Sequence, residues 1–447
     1  MSERRYGVAA LATLLSTLAA CGGESNPPVA DVVTASSAGA IAESRITLDA
    51  YSASRTPSVP KALSSADALR ATLALALPPL QDTLTTTSGQ YPIALSAIVF
   101  PAIQAARLDV LRAATAGDTL AELEAALPSA VTLDATRTLL AGVSRKLWAS
   151  ASAQFTSSFL ASTDTGGSSW SPWQAIRIQD WPAAFLELAD FGSVSDLNLR
   201  PQTRLVIGHR FDAEALAGGQ AVAFDGVGVR SPDNWYTAPM VAFEGPGGIL
   251  QGDDYVAAAT WIGDRLWVSL RPRGNTPLYR GLPPASLNSA LNAAWSTYPA
   301  PEGLVSRSRQ VWPQQMSTLE DRSRLPAGIA LPYSEIRANL SGLDGGGTYL
   351  KETARAASLA IDTVGLRVSG AQAMAFSFSL DNTYGGGSYG SGSTLFNLAP
   401  FAVLPRCPRA EADWRGAYLA LIDRSGRLLF VASLPDAPSA ASACTPL

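Results

Sequence analysis

Side chains that ordinarily carry acid–base, nucleophilic or metal chemistry are sparse in this chain, and that sparseness directs the reading. Among 447 residues there is one histidine, His209, and three cysteines, Cys21, Cys407 and Cys444. A serine–histidine–carboxylate triad or a histidine-rich metal site would have to rest on that single imidazole. His209 lies in Thr203-Arg-Leu-Val-Ile-Gly-His-Arg-Phe211, a run that predicts a strand, so its role is read as structural. Gly386-Gly-Ser-Tyr-Gly390 has the spacing of a nucleophile elbow around Ser388. Such an elbow needs a strand before it and a helix after it, whereas residues 385–393 are only glycine, serine and tyrosine. Ser58-Val-Pro-Lys61 sets a lysine three residues after a serine, which works as base and nucleophile only across a helical turn. Pro60 opposes that turn. No Cys/His spacing for zinc and no phosphate-binding glycine loop occurs. The residues favour a protein that is not an enzyme and call for no cofactor or metal; a serine hydrolase using Ser388 or Ser58 is the enzymatic alternative, with the Ser58–Lys61 motif the sharper of the two.

Cys21 carries a different chemistry. Arg4 and Arg5 give a basic start, and residues 8–18 are an apolar stretch. Leu18-Ala-Ala-Cys21 then precedes Gly22-Gly23. The apolar run is too short to span a bilayer, which takes roughly 20 residues. Leu-Ala-Ala-Cys resembles the lipobox of bacterial lipoproteins, which implies a signal peptide over 1–20 and lipidation of Cys21. Ordinary signal cleavage, or a buried cysteine, is the alternative. The glycine after the cysteine implies outer-membrane sorting, and the localisation expected is the outer membrane, the periplasm or the cell surface. Residues 21–60, rich in Ser, Ala, Pro and Thr, read as a flexible tether to a body over 61–447. With Cys21 given to lipid, Cys407 and Cys444 remain as a candidate disulfide in an exported chain, contributing about 3–4 kcal/mol in the chain-entropy model; two free thiols are the alternative. A net charge of −4 without a basic, aromatic-laced cluster gives nucleic acid no electrostatic purchase.

Within the body, residues 62–84 predict a helix broken by Pro78-Pro79. A second helix, 95–114, is interrupted by Pro101. Thr119 is placed to cap a helix over 120–127, with Glu122 as capping-box partner. Strands are expected at 203–207, 241–243, 255–262, 266–270, 359–364 and 428–434. Apolar runs of this kind imply a mixed α+β body with large buried sheets.

Several stretches resemble landmarks of the serpin family, in serpin order. They are Thr115-Ala-Gly-Asp-Thr-Leu-Ala-Glu-Leu123, Ala238-Pro-Met240, Leu266-Trp-Val-Ser-Leu-Arg-Pro272 and Ala338-Asn-Leu-Ser-Gly-Leu343. Tyr349-Leu-Lys-Glu-Thr-Ala-Arg-Ala-Ala-Ser-Leu-Ala-Ile-Asp-Thr-Val-Gly365, Ala399-Pro-Phe401 and Arg427-Leu-Leu-Phe-Val-Ala-Ser-Leu-Pro435 complete the series. The resemblance implies a serpin-like fold, with a large central β-sheet, further sheets and about eight or nine helices. It also departs from the family. Tyr91-Pro-Ile-Ala-Leu-Ser96 lacks the Ser-Pro-x-Ser order, the Asn and Phe-Lys-Gly-x-Trp near His209 are missing, and residues 405–414 look inserted.

What the resemblance implies about function is a serine protease inhibitor whose exposed loop, 365–395, is cut as bait and then inserts as a new strand, trapping the protease. The partner would be a serine or cysteine protease, the protein a monomer, and the membrane touched only through the lipid. The hinge would be Gly365, Leu366, Arg367, Val368, Ser369, Gly370 and Ala371, and family spacing puts the bait bond at Ser379–Leu380. Residues 366–378 alternate: Leu366, Val368, Gly370, Gln372, Met374, Phe376 and Phe378 share one face, as a half-buried strand requires. Inhibitory relatives carry small residues at the hinge, so Val368 is expected to overpack its slot, at a cost of about 1–3 kcal/mol. A non-inhibitory surface or binding protein on the same fold is the competing reading.

Overall fold

Long alternating runs become long strands, and two of them, each 14 residues, lie side by side: β17 (Thr348–Ile361) and β18 (Gly365–Phe378). They sit inside a seven-stranded sheet of spatial order β19 (Thr394–Leu395), β16 (Gln315–Arg322), β17, β18, β8 (Thr203–Leu216), β5 (Val143–Ser150) and β7 (Gln174–Ile178). All neighbours are antiparallel except β5 and β7. A second, nine-stranded sheet runs β22 (Ala440–Cys444), β15 (Arg307–Pro313), β12 (Met240–Gln251), β13 (Tyr255–Ile262), β14 (Arg265–Pro272), β20 (Ala417–Asp423), β21 (Leu428–Leu434) and β4 (Ala97–Val99), with β9 (Gln220–Val222) also on β12. Three short ribbons pair β1 (Arg45–Ile46) with β6 (Phe155–Thr156), β2 (Leu84–Thr87) with β3 (Tyr91–Ala94), and β10 (Val229–Arg230) with β11 (Trp235–Tyr236).

The structure is a computed structural model. It describes most of residues 62–163, 199–222, 240–273, 282–322, 329–378 and 417–434, together with the short strands named outside those ranges. The described residues fall in one compact unit, Ser44–Leu447. Among them the α-helices are α1 (Ser65–Asp82), α2 (Pro101–Ala114), α3 (Gly117–Ala126), α4 (Leu133–Leu139), α5 (Ser157–Thr163), α6 (Pro284–Thr297) and α7 (Ser341–Asp344). The fold is the mixed α+β class expected, built on a large antiparallel sheet.

Helix α2 positions everything that follows. Almost all of its residues are buried, and it touches β5, β8 and β18 of the seven-stranded sheet and β21 of the nine-stranded one. The main core surrounds it: Phe100, just before α2, packs its ring 6.2 Å from Phe211 and 6.3 Å from Phe430. A second core lies between β13, β14, β20 and β21 on one side and α1 and α6 on the other, with Leu69, Leu73, Leu291 and Trp295.

Local expectations differ from the structure at four places, each for a tertiary reason. Helix α1 continues through Pro78-Pro79, although interior proline costs about 3 kcal/mol, because Ala76 and Leu80 on that turn are buried in the second core. Residues 97–99 are strand rather than helix, since they pair with β21. Helix α2 then begins at Pro101, where a missing N–H costs nothing. Helix α3 starts at Gly117, so Thr119 is inside it. Its hydroxyl accepts the Asn339 N–H, and Glu122 accepts the N–H groups of Ala330 and Leu331. Strand β17 stops at Ile361 instead of running on to 364, and residues 362–364 form a turn.

Candidate functional site

The turn between β17 and β18 is where the candidate hinge begins, and one carboxylate organises it. Asp362 exchanges main-chain bonds with Gly365 at 3.0 and 3.2 Å, and its side chain accepts the N–H groups of Val364 at 2.8 Å and Gly365 at 3.2 Å. The same carboxylate pairs with the guanidinium of Arg367. Gly365 holds φ at +151°, and a side chain there would strike the carbonyl of Ala215 on β8. The turn is docked from outside as well, since the Gly219 N–H donates to the carbonyl of Thr363 at 2.7 Å. Sequence reasoning missed this clamp, although an Asp three residues before a Gly is an ordinary turn signature that could have signalled it.

From the turn, β18 runs between its neighbours in near-continuous register. Leu366 to Phe378 pair with β17, and Gly365 to Ser377 pair with β8. Leu366, Val368, Met374 and Phe376 are all within the main core. On the opposite face Arg367 is exposed and Ser369 half-buried, while Ala371, Ala373, Ala375 and Ser377 are covered. Val368 is buried between Ala213 on β8 and Leu359 on β17. Gly370 is needed because a Cβ there would enter the ring of Phe100. The strand's face is therefore shaped to α2 and its flank, residue by residue. Arg367, Ser369, Gly370 and Ala371 all lie in this strand.

A polar row crosses the sheet beneath these contacts. Arg145 on β5, His209 on β8, Gln372 on β18 and Arg355 on β17 are successive register partners, so they share the face toward α2. His209 is 0% and Gln372 1% exposed, and neither ring nitrogen of the histidine nor the amide of Gln372 has a hydrogen-bond partner among the described residues. Helix α2 adds buried Arg107 and Asp109. Asp109 lies 3.4 Å from Arg145 and 3.9 Å from Arg137. Burial pushes Asp109 above the usual carboxylate range despite these arginines, and burial also lowers Arg107. His209 is driven well below its ordinary value, first by burial and then by the cations Arg145 and Arg107, so it is neutral near pH 7. Nothing in the spacing of the Arg and Asp of α2 signals in the sequence that they are buried.

The remaining candidates lie elsewhere. Cys21, Ser58, Lys61, Ser379, Leu380, Ser388 and Cys407 fall outside the described residues. Cys444 is the last residue of β22, opposite Arg307. Among the described residues no cluster of three His, Cys, Asp or Glu is arranged to hold a metal ion.

The neutral histidine makes a pH prediction with a definite sign. Its folded pKa is depressed, so below about pH 6.5 the unfolded chain binds the proton that the folded chain refuses. Stability conferred by neutral His209 is present above about pH 6.5 and is lost as pH falls, at up to about 1.4 kcal/mol per pH unit for one proton. Urea unfolding of the native chain and of His209→Gln between about pH 7.5 and 5 should diverge in that direction. Parallel curves would refute the assignment.

No protein-family model matches the sequence, and no curated protein matches it. Solved structures do match. A loop C-sheet serpin polymer superposes with a TM-score of 0.57 at 12% identity, over 85% of this chain and 98% of that one. The thermophilic serpin tengpin in its latent state gives 0.57 at 13% identity, over 85% and 100%. A cleaved serpin 42Da gives 0.56 at 13% identity, over 83% and 99%. At such identities the likeness speaks for architecture, and the architecture is plain: this chain has the serpin fold.

Proposed function

We propose that the protein is a serpin-type inhibitor of serine proteases, and that the sheet with β18 in place is its loop-inserted form. The supporting observation is the pairing of β18 along its whole length with both β17 and β8. A segment able to fill that slot in register is what a trap by strand insertion requires. Withdrawal of residues 366–378 from the slot would present them, with Ser379–Leu380, as bait; return gives back two ladders of main-chain bonds. It also buries Leu366, Val368, Met374 and Phe376, each contributing roughly 1.5–3 kcal/mol. The same chemistry extends to cysteine proteases, and the inhibitor acts as a monomer.

The hinge favours a second reading. Leu366 and Val368 are core residues and the Asp362–Arg367 pair holds the turn, so the strand can stay inserted permanently, as in a non-inhibitory surface or binding protein. Incubation of freshly refolded protein with chymotrypsin-like and elastase-like proteases separates the two. Inhibition predicts a covalent complex that survives denaturing electrophoresis. Cleavage or resistance without any complex would leave only the second reading.

We also propose that Cys21 is lipidated and holds the protein at the outer membrane, on the periplasmic or the outer side, by a tether over 21–60. Cys21→Ala should abolish incorporation of labelled palmitate and release the protein from the membrane fraction. Retention of the label would count against it.

A further inference from the structure

At the end of β18 remote from the hinge turn, both neighbouring strands depart from regular pairing at the same height. On β8, Leu205 pairs with Phe376 and Thr203 with Ser377, so the register passes over Arg204. On β17, Leu350 pairs with Phe376 and Glu352 with Ala375, so the register passes over Lys351. Each is a one-residue bulge, and a bulge bends its strand and re-aims the side chain it carries. Both extra residues are basic.

The bulge on β8 aims its cation at one ring. The Arg204 guanidinium lies over Phe378, the last residue of β18, at 4.8 Å from the ring centroid. On the β17 side the ring rests against Gly347, the residue before that strand, where a Cβ would come within 2.8 Å of it. The main chain holds Phe378 as well: it pairs with Thr348, and its N–H donates to the Gln202 carbonyl at 3.3 Å. Phe376, two residues earlier, is 0% exposed in the main core, whereas Phe378 is only half-buried. Burial alone would accept any apolar side chain at 378. A guanidinium over the ring is attracted by the negative face of an aromatic and gains nothing comparable from an aliphatic chain.

We propose that Arg204 and Gly347 form a receptacle for the aromatic ring at the trailing end of β18, and that seating Phe378 in it latches the strand into the slot. The receptacle lies at the opposite end of the slot from Gly365, so it acts on the completion of insertion and not on its start. Under the inhibitory reading, on which this consequence rests, Arg204 is a positioning residue. It lies outside the bait loop, yet it sets the share of cut protein that completes the trap. Under the non-inhibitory reading the same contact keeps the end of the strand from fraying.

The test needs no protease. Amide exchange is followed in the full chain, left to settle, for the native sequence, Arg204→Ala, Phe378→Leu, Phe378→Tyr and the double variant Arg204→Ala with Phe378→Leu. Loss of either partner should speed exchange of 374–378 by roughly two- to five-fold, the size of a partly exposed cation–π contact. The double variant should fall short of the combined single effects, since both remove one contact. Phe378→Tyr should keep the native rate, and 366–370 should not respond. Equal exchange in every chain, fully additive effects, or acceleration spread over all of β18 and β8 would each overturn the latch. Arg204→Gln, a milder removal of the charge, should behave as Arg204→Ala does. Misfolding of both would overturn the proposal too, because the contact is claimed for the rim of the strand and not for the fold. Rapid exchange of all of 366–378 in the native chain is a separate failure: it would remove the inserted form itself, and the latch with it.

Discussion

The structure depends on one strand being paired on both sides. Take β18 out of the seven-stranded sheet and β8 and β17 each lose a ladder, while Leu366, Val368, Met374 and Phe376 leave the core around α2. Closing the gap would bring β8 and β17 together across the width of a missing strand. That demands sliding of the helices packed beneath, since a close-packed interior does not deform continuously. Both the inhibitory and the non-inhibitory reading are statements about this slot: what enters it, and whether it ever leaves.

The slot is not purely apolar. The row Arg145, His209, Gln372, Arg355 places cationic or neutral polar groups across four adjacent strands, above Arg107 and Asp109 of α2. Buried charges of this kind are poor sources of net stability, because desolvation consumes most of the Coulomb gain, and breaking one pair is costly. Their effect is better understood as selection. Gln372 is the neutral spacer between His209 and Arg355. A two-residue slip of β18 would put Gly370 or Met374 there instead, and shift Gly370 away from the ring of Phe100. Register is thus specified twice, by a polar match in the middle and by a steric fit near the hinge.

Much of this was legible in the sequence because strand period and burial coincide. The runs 255–262 and 428–434 became strands with those bounds, and the alternation of 366–378 became the core-facing side of β18. Where local pattern misleads, a distant contact outweighs a local preference. Pro78-Pro79 does not end α1 because buried Leu80 holds the last turn, and residues 97–99 turn from helix to strand because β21 lies beside them. Thr119 and Glu122 have the spacing of a capping box yet bind the 330–339 segment. Neither the buried charges of α2 nor the placing of β22 beside β15 leaves a mark in local sequence, since each depends on elements distant along the chain.

Amide hydrogen exchange of the uncleaved protein tests the central claim most directly. Residues 366–376 should exchange as slowly as 205–211 of β8 and 357–361 of β17, because all three share one ladder system. Exchange of 366–376 within seconds, while β8 and β17 stay protected, in protein left to settle rather than freshly refolded would mean that the strand lies outside the sheet at equilibrium, and would contradict a slot filled in the settled state.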